Sequence, residues 1–258
     1  MDDVSLEAVV LGELARRAAA CDLPFLVVGA TARDLLIRNS DSAVPLRRTH
    51  DVDIAVAVVD WPDLDRLTAG LTHVDGRTHT YDVRGVPVDI VPFRGVEAPD
   101  RTIRWPDDHV MNVAGLDEAL QTAVAVELVG GVRVHVASLP AQVVLKLFAW
   151  SDRHHRDPRG AIDLKSIFGA YSLGSHLDAL YETFDASLVR QDFDVPLATA
   201  DRVGVEIQKI LDHTTLDALQ ALIGQQLGEE STLVADMGFD VSRNRELLAA
   251  LSAGLATH

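Results

Sequence analysis

Three aspartates have the spacing and the surroundings of a site for divalent cations. Asp51 and Asp53 stand two residues apart at the start of DVDIAVAVV, and Asp89 is the single charge within the apolar stretch VPVDIVPF. Two residues of strand rise roughly 6.7 Å and return to the same face, so Asp51 and Asp53 can approach one pair of cations. A lone carboxylate such as Asp89 is costly in an apolar strand unless it is paired or bound to metal.

Carboxylates of this kind on adjacent strands predict two-metal phosphoryl transfer, in which the ions hold the attacking and the leaving oxygen. A plainer alternative leaves Asp51 as a strand-edge residue and pairs Asp53 with Arg47 or Arg48, because D-x-D tripeptides are common. The central position of Asp89 in its strand, together with a glycine turn upstream, favours the metal site over that alternative.

A strand, a glycine turn and a helix follow one another over residues 25–37. The apolar run 25–28 predicts a buried strand, Gly29 ends it, and helical spacing resumes at Thr31. The free N–H groups at the start of such a helix favour an anion, and Gly29 allows the backbone to come close to it. We therefore expect Gly29, Ala30 and Thr31 to hold a phosphate.

Cationic side chains are available for the same phosphates. Arg33 on the first turn of that helix is unfavourable to the helix dipole, which favours a phosphate contact; an ion pair with Asp34 or Asp51 is the alternative. Lys146 and Arg153 are seven residues apart, two helical turns or about 10 Å along one face, which suits an extended triphosphate. The alternative for Lys146 is a covered apolar stem with its amine in water.

The net charge of −16 makes the chain a poor general binder of nucleic acid or anionic membrane. The stretch 146–165 reverses that balance, with five basic and three acidic side chains. A local basic patch on an acidic chain suits a specific phosphate-bearing substrate. We therefore expect Arg153 and Arg156 to bind the phosphates of an acceptor.

The character of the chain changes at about residue 137. Before that point strands and helices mix, with a strand at 51–59 and hairpins that turn at Arg84-Gly85 and at Gly130-Gly131. After it every periodic segment predicts a helix, near 138–154, 160–171, 176–189, 196–211, 215–227 and 243–254. The pattern predicts an α+β fold with a core domain at 1–137 and a helical domain at 138–258.

Composition indicates where such a protein works. The single cysteine, Cys21, excludes an intramolecular disulfide, and no apolar run approaches the ~18 residues of a membrane span. The N-terminus MDDVSLEAVV is acidic, unlike a signal peptide. We expect a cytoplasmic protein with no membrane partner.

Several longer segments of the sequence resemble segments of a known family. VVGATARDLL, RRTHDVDIAV and GVPVDIVPF, followed by WPDDHVMNVAGLDEAL, resemble the nucleotidyltransferase family of AbiEii/MenT-type toxins. The later stretch VVLKLFAWSDRHHRDPRGAIDLKSI resembles the second motif block of that family: a Lys, a D-R pair, R-D and then D-L. The chain is also distantly similar to the G-G-x-x-R-D…D-x-D pattern of CCA-adding enzymes. The resemblance covers about residues 25–170.

This resemblance implies a polymerase-β-like nucleotidyltransferase core, a mixed sheet flanked by helices, and then a helical domain that carries the second motif block. It implies transfer of a nucleoside monophosphate from an NTP to an acceptor hydroxyl, with Mg²⁺ as the cofactor and Mn²⁺ as its substitute. Members are often toxins of two-gene systems, and some modify the 3′ acceptor end of tRNA. The implied partners are an NTP, a tRNA or other macromolecular acceptor, and a cognate antitoxin.

Residue roles follow from the same resemblance. By position Asp51 and Asp53 would bind the metals, and Asp89 would bind a metal and the nucleophilic hydroxyl. Gly29 and Thr31 would hold phosphates.

In the second motif block, Lys146 would contact the triphosphate and Asp163 would complete the block. The chain departs from the family at Ala30, where Gly or Ser is common. Pro158 and Gly160 also interrupt a stretch in which a continuous helix is expected before Asp163.

Two other functions stay open at this point. A small-molecule nucleotidyltransferase, resembling aminoglycoside-modifying enzymes, is favoured by the acidity of the chain, because cationic antibiotics favour acidic clefts. A non-catalytic regulatory module of the same fold is the other; the three carboxylates count against it, since a dead enzyme need not keep them together.

Overall fold

The apolar runs of the first half of the chain form the middle of a seven-stranded mixed sheet. A computed structural model describes residues 6–39 and 51–257. The sheet contains, in chain order, β1 (Phe25–Val28), β2 (Val52–Val58), β3 (Thr72–His73), β4 (Thr80–Val83), β5 (Val86–Arg94), β8 (Val124–Glu127) and β9 (Arg133–Val136). Their spatial order is β3-β4-β5-β2-β1-β9-β8. A separate two-stranded sheet pairs β6 (Thr102–Arg104) with β7 (Val110–Asn112).

The central strands are parallel in two places and antiparallel elsewhere. β2 runs parallel to β5, and β1 runs parallel to β9, whereas β1 and β2 are antiparallel. The three strands β1, β2 and β5 are rich in β-branched residues that lie buried in the core, which is why they read as nearly continuous apolar runs. Helices α1 (Leu6–Cys21), α2 (Gly29–Asn39), α3 (Trp61–Thr68) and α4 (Leu116–Gln121) accompany these strands.

The rest of the described chain is helical. In order it forms α5 (Leu139–Arg153), α6 (Arg159–Tyr171), α7 (Gly174–Glu182), α8 (Asp185–Arg190), α9 (Val195–Ile210), α10 (His213–Gln225), α11 (Thr232–Asp236) and α12 (Val241–Leu255). The predicted α+β class, a mixed sheet flanked by helices and followed by a helical region, is confirmed. By its contacts the chain divides into two compact units, Met1–Leu36 with Leu46–Ser138 and Ile37–Pro45 with Leu139–His258.

Three aspartates and one serine of the second unit cap the starts of helices. The side chains of Asp194, Asp212, Ser231 and Asp240 each accept a hydrogen bond from the backbone N–H three residues further on. Such caps satisfy backbone donors that a helix start leaves without partners, and a carboxylate there also complements the helix dipole. A high count of aspartate is therefore compatible with a well-ordered helical unit.

Two local features differ from the sequence prediction. The helix expected over 176–189 is two helices, α7 and α8, because the backbone of Phe184 leaves the helical conformation. The Phe184 ring lies under the Arg202 guanidinium, with 4.4 Å between Arg202 Cζ and the ring centroid. The short α4, α11, β3, β6 and β7 have no counterpart in the prediction, since segments of two to six residues carry too few positions to show a period. Within residues 6–39 and 51–257, no helix has both the length and the apolar character needed to span a bilayer.

Candidate active site

Two of the three predicted metal ligands are direct neighbours across the parallel strands β2 and β5. Asp53 lies opposite Asp89 in a register that continues through Ile54 with Ile90. Neighbouring strands are about 4.8 Å apart, and residues in register place their side chains on the same face of the sheet. The expectation that these carboxylates occupy adjacent strands is therefore confirmed, and together they form a pair of oxygen donors at the centre of the sheet.

The glycine turn lies directly against this pair. Gly29 follows Val28, which pairs with Asp53 across β1 and β2, and its backbone φ is +67°. A Cβ atom added at Gly29 would stand 2.1 Å from the Asp53 Oδ2, far inside van der Waals contact. Glycine is therefore needed here for two reasons: a backbone conformation that L-residues rarely adopt, and the space that the Asp53 carboxylate occupies.

The start of α2 and the start of β2 are also in contact. Thr31 is buried, and its hydroxyl donates to the Asp51 carbonyl oxygen at 3.4 Å, a long hydrogen bond. Asp51 itself is exposed, immediately before β2 begins at Val52, and Ala30 is partly exposed on the first turn of α2. The turn, Asp51 and Asp53 thus belong to one region of the first unit.

Asp89 is held by both of its carboxylate oxygens. The Thr80 hydroxyl donates to Oδ1 at 2.5 Å, and His79 Nε2 lies 3.7 Å from Oδ2, the distance of an ion pair rather than of a hydrogen bond. Burial by itself pushes the pKa of Asp89 up, but His79 and Thr80 outweigh it, with a smaller contribution from Arg77, and the pKa lies below its usual value. Asp89 is therefore a carboxylate at neutral pH, as a cation ligand must be.

The donor set of Asp53 and Asp89 suits a hard divalent cation. Carboxylate oxygens are the ligands that Mg²⁺ and Mn²⁺ prefer, and Asp53 and Asp89 supply them side by side. Within the residues that the structure describes, however, no three His, Cys, Asp or Glu side chains converge closely enough to hold one ion. Asp51 stands apart at the strand start, so a site that used all three would require its side chain to turn toward the other two.

Arg33 has surroundings that differ from those of a solvent-facing phosphate ligand. Its side chain is only 2% exposed, and its guanidinium pairs with Asp34 through two nitrogens at 2.7 and 2.8 Å. The ion pair with Asp34, one of the two alternatives to a phosphate contact, is therefore present, and it is buried. Arg47 and Arg48, the alternative partners of Asp53, lie outside the described residues.

The second unit brings Lys146 and Asp163 together. Lys146 on α5 and Asp163 on α6 form an ion pair of 2.6 Å between Nζ and Oδ2, and both side chains are largely buried. The break between α5 and α6 at residues 154–158, which contains Pro158, turns the chain so that the two helices pack side by side. The departure noted in the sequence is therefore the feature that lets Asp163 reach Lys146.

The arginines beyond α5 differ from one another in their partners. Arg153 and Arg156 are exposed, and neither forms an ion pair with any residue in the described ranges. Arg159 binds Asp157 through two nitrogens, each at 2.6 Å, and holds the pKa of that carboxyl at about 2. Trp150 is buried and donates to Asp236 at 2.8 Å, so it belongs to the core.

Thr80 and His79 were not identified from the sequence as parts of the site. A signal for them exists, because a two-residue turn at Arg84-Gly85 fixes the register of the hairpin. Counting outward from that turn places Thr80 opposite Asp89, and the structure has that pairing. The predicted hairpin therefore contained the position of Thr80, although not the direction of its hydroxyl.

Comparisons with known proteins give distant likenesses. No model of a protein family matches the sequence, and no curated protein matches it significantly. The solution structure of the antibiotic-resistance factor ANT(2'')-Ia is similar over 71% of this chain and 94% of its own, with 14% identity and a TM-score of 0.40. The Thermotoga maritima CCA-adding enzyme, solved in complex with tRNA, covers 98% of this chain and 80% of its own, with 13% identity and a TM-score of 0.26. Membership of the AbiEii/MenT-type family stays a prediction.

Proposed function

We propose that this protein is a nucleotidyltransferase that moves a nucleoside monophosphate from an NTP to an acceptor hydroxyl with the help of Mg²⁺ or, in its place, Mn²⁺. The acceptor oxygen bonds to the α-phosphorus, the bond between the α- and β-phosphates breaks, and pyrophosphate leaves. The observation that carries the proposal is the pairing of Asp53 with Asp89 on adjacent parallel strands, with the Gly29 turn packed against them. Adjacent carboxylates supply cation ligands, and the turn leads into a helix start that favours a phosphate. Transfer of a phosphoryl-type group needs both.

Each residue has a role in this scheme. Asp53 and Asp89, joined by Asp51, would hold the divalent ion, which when bound neutralises the charge that develops on the phosphate oxygens. Asp89 would also accept the proton of the acceptor hydroxyl, because a carboxylate within hydrogen-bond reach can serve as the general base. The start of α2 at Gly29, Ala30 and Thr31 would hold the phosphates of the NTP.

Removal of a single ligand tests this proposal. Asp53→Ala and Asp51→Ala should each abolish incorporation of label when the purified protein is incubated with labelled NTPs, Mg²⁺ and total cell RNA. Asp53→Asn should be nearly as severe, because a neutral amide is a weak ligand for Mg²⁺. Asp65→Ala on α3 is the matched control, since Asp65 is an exposed aspartate of the same unit. Full activity in either ligand variant would remove that residue from the site.

For the acceptor we propose the 3′ end of a tRNA, with the protein acting in the cytoplasm as a toxin that a cognate antitoxin restrains. The family resemblance motivates this choice, and Arg153 and Arg156 support it, because both are exposed cations without an ion-pair partner in the described chain. Lys146 is proposed to contact the triphosphate. It would have to exchange its ion pair with Asp163 for that contact, or share it.

A second candidate acceptor is a small cationic molecule of the aminoglycoside type. The observation that favours it is the net charge of −16, which attracts cations and repels polyanions. Offering the enzyme labelled NTPs with either total cell RNA or an aminoglycoside separates the two candidates. Label in RNA alone supports the first, label in the small molecule alone supports the second, and neither result alters the assignment of the carboxylates.

A further inference from the structure

The two oxygens of the Asp89 carboxylate each have their own neighbour, and neither neighbour is itself a cation ligand in the proposed site. Thr80 contacts Oδ1 and His79 contacts Oδ2. Thr80 is the first residue of β4 and pairs with Asp89 across β4 and β5, and His79 directly precedes it. The carboxylate is thus approached from one side by two consecutive residues, which leaves its other side toward β2 and Asp53.

The contact with Thr80 is short and sheltered. Its donor–acceptor distance of 2.5 Å is in the range of a hydroxyl that donates to a charged carboxylate, and Thr80 is 1% exposed. A β-branched side chain on a strand has few rotamers, so the hydroxyl cannot easily turn away from Asp89. Because the two residues are fixed in register, this hydrogen bond restrains the rotation of the carboxylate.

His79 restrains the second oxygen through its ring. The imidazole lies against the buried Trp105, with 5.5 Å between the ring centroids and 33° between their planes. Among the residues that the structure describes, His79 Nδ1 is buried without a hydrogen-bond partner, so the polar contact of this ring is the one that Nε2 makes with Asp89. The aromatic packing therefore directs the ring toward the carboxylate.

We propose that Thr80 and His79 are positioning residues that fix the orientation of the Asp89 carboxylate toward Asp53. The inference rests on the proposed function, since it assumes that Asp89 is a ligand of the divalent ion. Groups that hold a metal ligand in place typically contribute 10- to 100-fold to metal affinity or activity. A threonine and a histidine are suited to the task, because neither brings the permanent positive charge of Arg or Lys that would compete with the cation.

Binding of Mn²⁺ alone, followed by the electron paramagnetic resonance signal of the free ion, tests this inference without any substrate. Thr80→Val keeps the shape of the side chain and removes the hydroxyl, so Mn²⁺ affinity should fall roughly tenfold. Thr80→Ser, which restores the hydroxyl, should recover most of it. Thr68→Val is the matched control: Thr68 is also buried in the first unit, and its hydroxyl donates to the Leu64 carbonyl at 2.9 Å.

Turnover gives a second measurement on the same variants, with labelled NTPs and total cell RNA. Thr80→Val should lower kcat by about tenfold and leave the KM for NTP within about twofold, because it misplaces one ligand without removing the phosphate site. His79→Phe retains the ring against Trp105 and loses Nε2, so it should have a smaller effect in the same direction. If Thr80→Val does not fold, His79→Phe is the variant that decides.

Asp89→Asn separates the possible failures. If Asp89→Asn weakens Mn²⁺ binding and turnover but Thr80→Val and His79→Phe match the wild type in both, the positioning role is wrong and the proposed function stands. Should Asp89→Asn itself bind Mn²⁺ and turn over normally, the proposed function fails at this residue, and the inference fails with it. An equal loss in Thr80→Val and Thr80→Ser would also overturn the inference, because the hydroxyl would then not be the cause.

Discussion

Asp89 in the first unit and Asp201 in the second are both carboxylates whose two oxygens have neighbours, yet these neighbours differ in kind. Asp201 is 0% exposed and receives two nitrogens of Arg190, at 2.5 and 3.0 Å, together with the Gln191 amide at 3.0 Å. Asp89 keeps 23% of its side chain exposed and is contacted by Thr80 and His79.

This difference separates a structural carboxylate from one that is available to a ligand. The charge of Asp201 is neutralised by an arginine, so little of it is left to attract a cation. The Asp89 carboxylate is stabilised by the Thr80 hydroxyl and the His79 imidazole, and it lies beside a second carboxylate, Asp53. Two adjacent carboxylates create a local negative potential that a divalent ion can relieve. The same residue type thus has opposite uses in the two units.

Replacement of Asp89 should produce the largest effect. Asp89→Asn should reduce turnover by roughly a thousandfold, because several kcal/mol of charge stabilisation are lost with one carboxylate. Nucleotide affinity should stay near that of the wild type, since the turn at Gly29 and the other two carboxylates remain. Calorimetric titration with an NTP and Mg²⁺, next to single-turnover rates, measures both quantities. Unchanged turnover would place Asp89 in the same structural class as Asp201.

Asp201→Ala should act on stability and leave catalysis intact. Loss of one partner of a buried ion pair costs up to 3–5 kcal/mol; here the guanidinium of Arg190 is about one-third exposed and can turn to water, so about 2–3 kcal/mol is expected. Urea denaturation at pH 7 measures the change through its midpoint, with an unchanged slope. A fall in turnover of the folded variant with an unchanged urea midpoint would contradict the structural role of Asp201.

The arginines of the second unit extend the comparison to cations. The double variant Arg153→Ala with Arg156→Ala should bind an RNA acceptor more weakly than the wild type. The slope of log affinity against log salt concentration should become less steep by about two, because two phosphate contacts are lost. Arg159→Ala is the control, since its guanidinium is already bound by Asp157. The measurement is acceptor KM at two salt concentrations. If acceptor KM changes with neither the salt concentration nor the double substitution, Arg153 and Arg156 do not bind RNA.

Glu13 is a carboxylate of the first unit that has arginine neighbours, as Asp201 has in the second unit. We therefore expect it to contribute to stability and not to turnover. Hydrogen bonds from Arg84 and Arg16 lower the pKa of Glu13 from 4.5 to about 2. A depressed folded-state pKa contributes stability above pH 4.5 that is lost as the pH falls toward 2. Glu13→Gln should therefore be less stable than the wild type at pH 7, by about 1 kcal/mol or less because Arg84 and Arg16 are exposed.

Thermal denaturation between pH 2 and pH 7 follows this smallest effect. The wild type and Glu13→Gln should converge as the pH falls through the interval from 4.5 to about 2. A difference in stability that stays constant across this interval would mean that Glu13 contributes through packing and not through its charge. Turnover at pH 7 should be the same in both proteins.

Several elements could be predicted because their signals are local. The hairpin of β4 and β5 turns at Arg84-Gly85 as expected, where both residues adopt positive φ. The continuous apolar runs of β1 and β2 and the helical period of α5 also came directly from neighbouring residues. The division of a helix into α7 and α8 did not, because it depends on Arg202, which lies in a different helix and receives the Phe184 ring.

For the candidate site, the sequence by itself determined which residues could do chemistry. Asp51, Asp53 and Asp89 stand out because a charge in an apolar strand needs a partner, and Gly29 stands out because it ends a strand and begins a helix. A period of two indicates which face a side chain takes. It does not indicate which strand lies alongside, and β2 and β5 are separated by more than 25 residues of chain.

Only the tertiary structure decided how these residues meet. The pairing of Asp53 with Asp89, the close packing of Gly29 on Asp53, and the hydroxyl of Thr80 on Asp89 all join separate strands. In the second unit, the bond from Lys146 to Asp163 required the break between α5 and α6. Such contacts arise where apolar surfaces pack together and fix the polar groups between them, and that packing is a property of the folded chain rather than of any single segment.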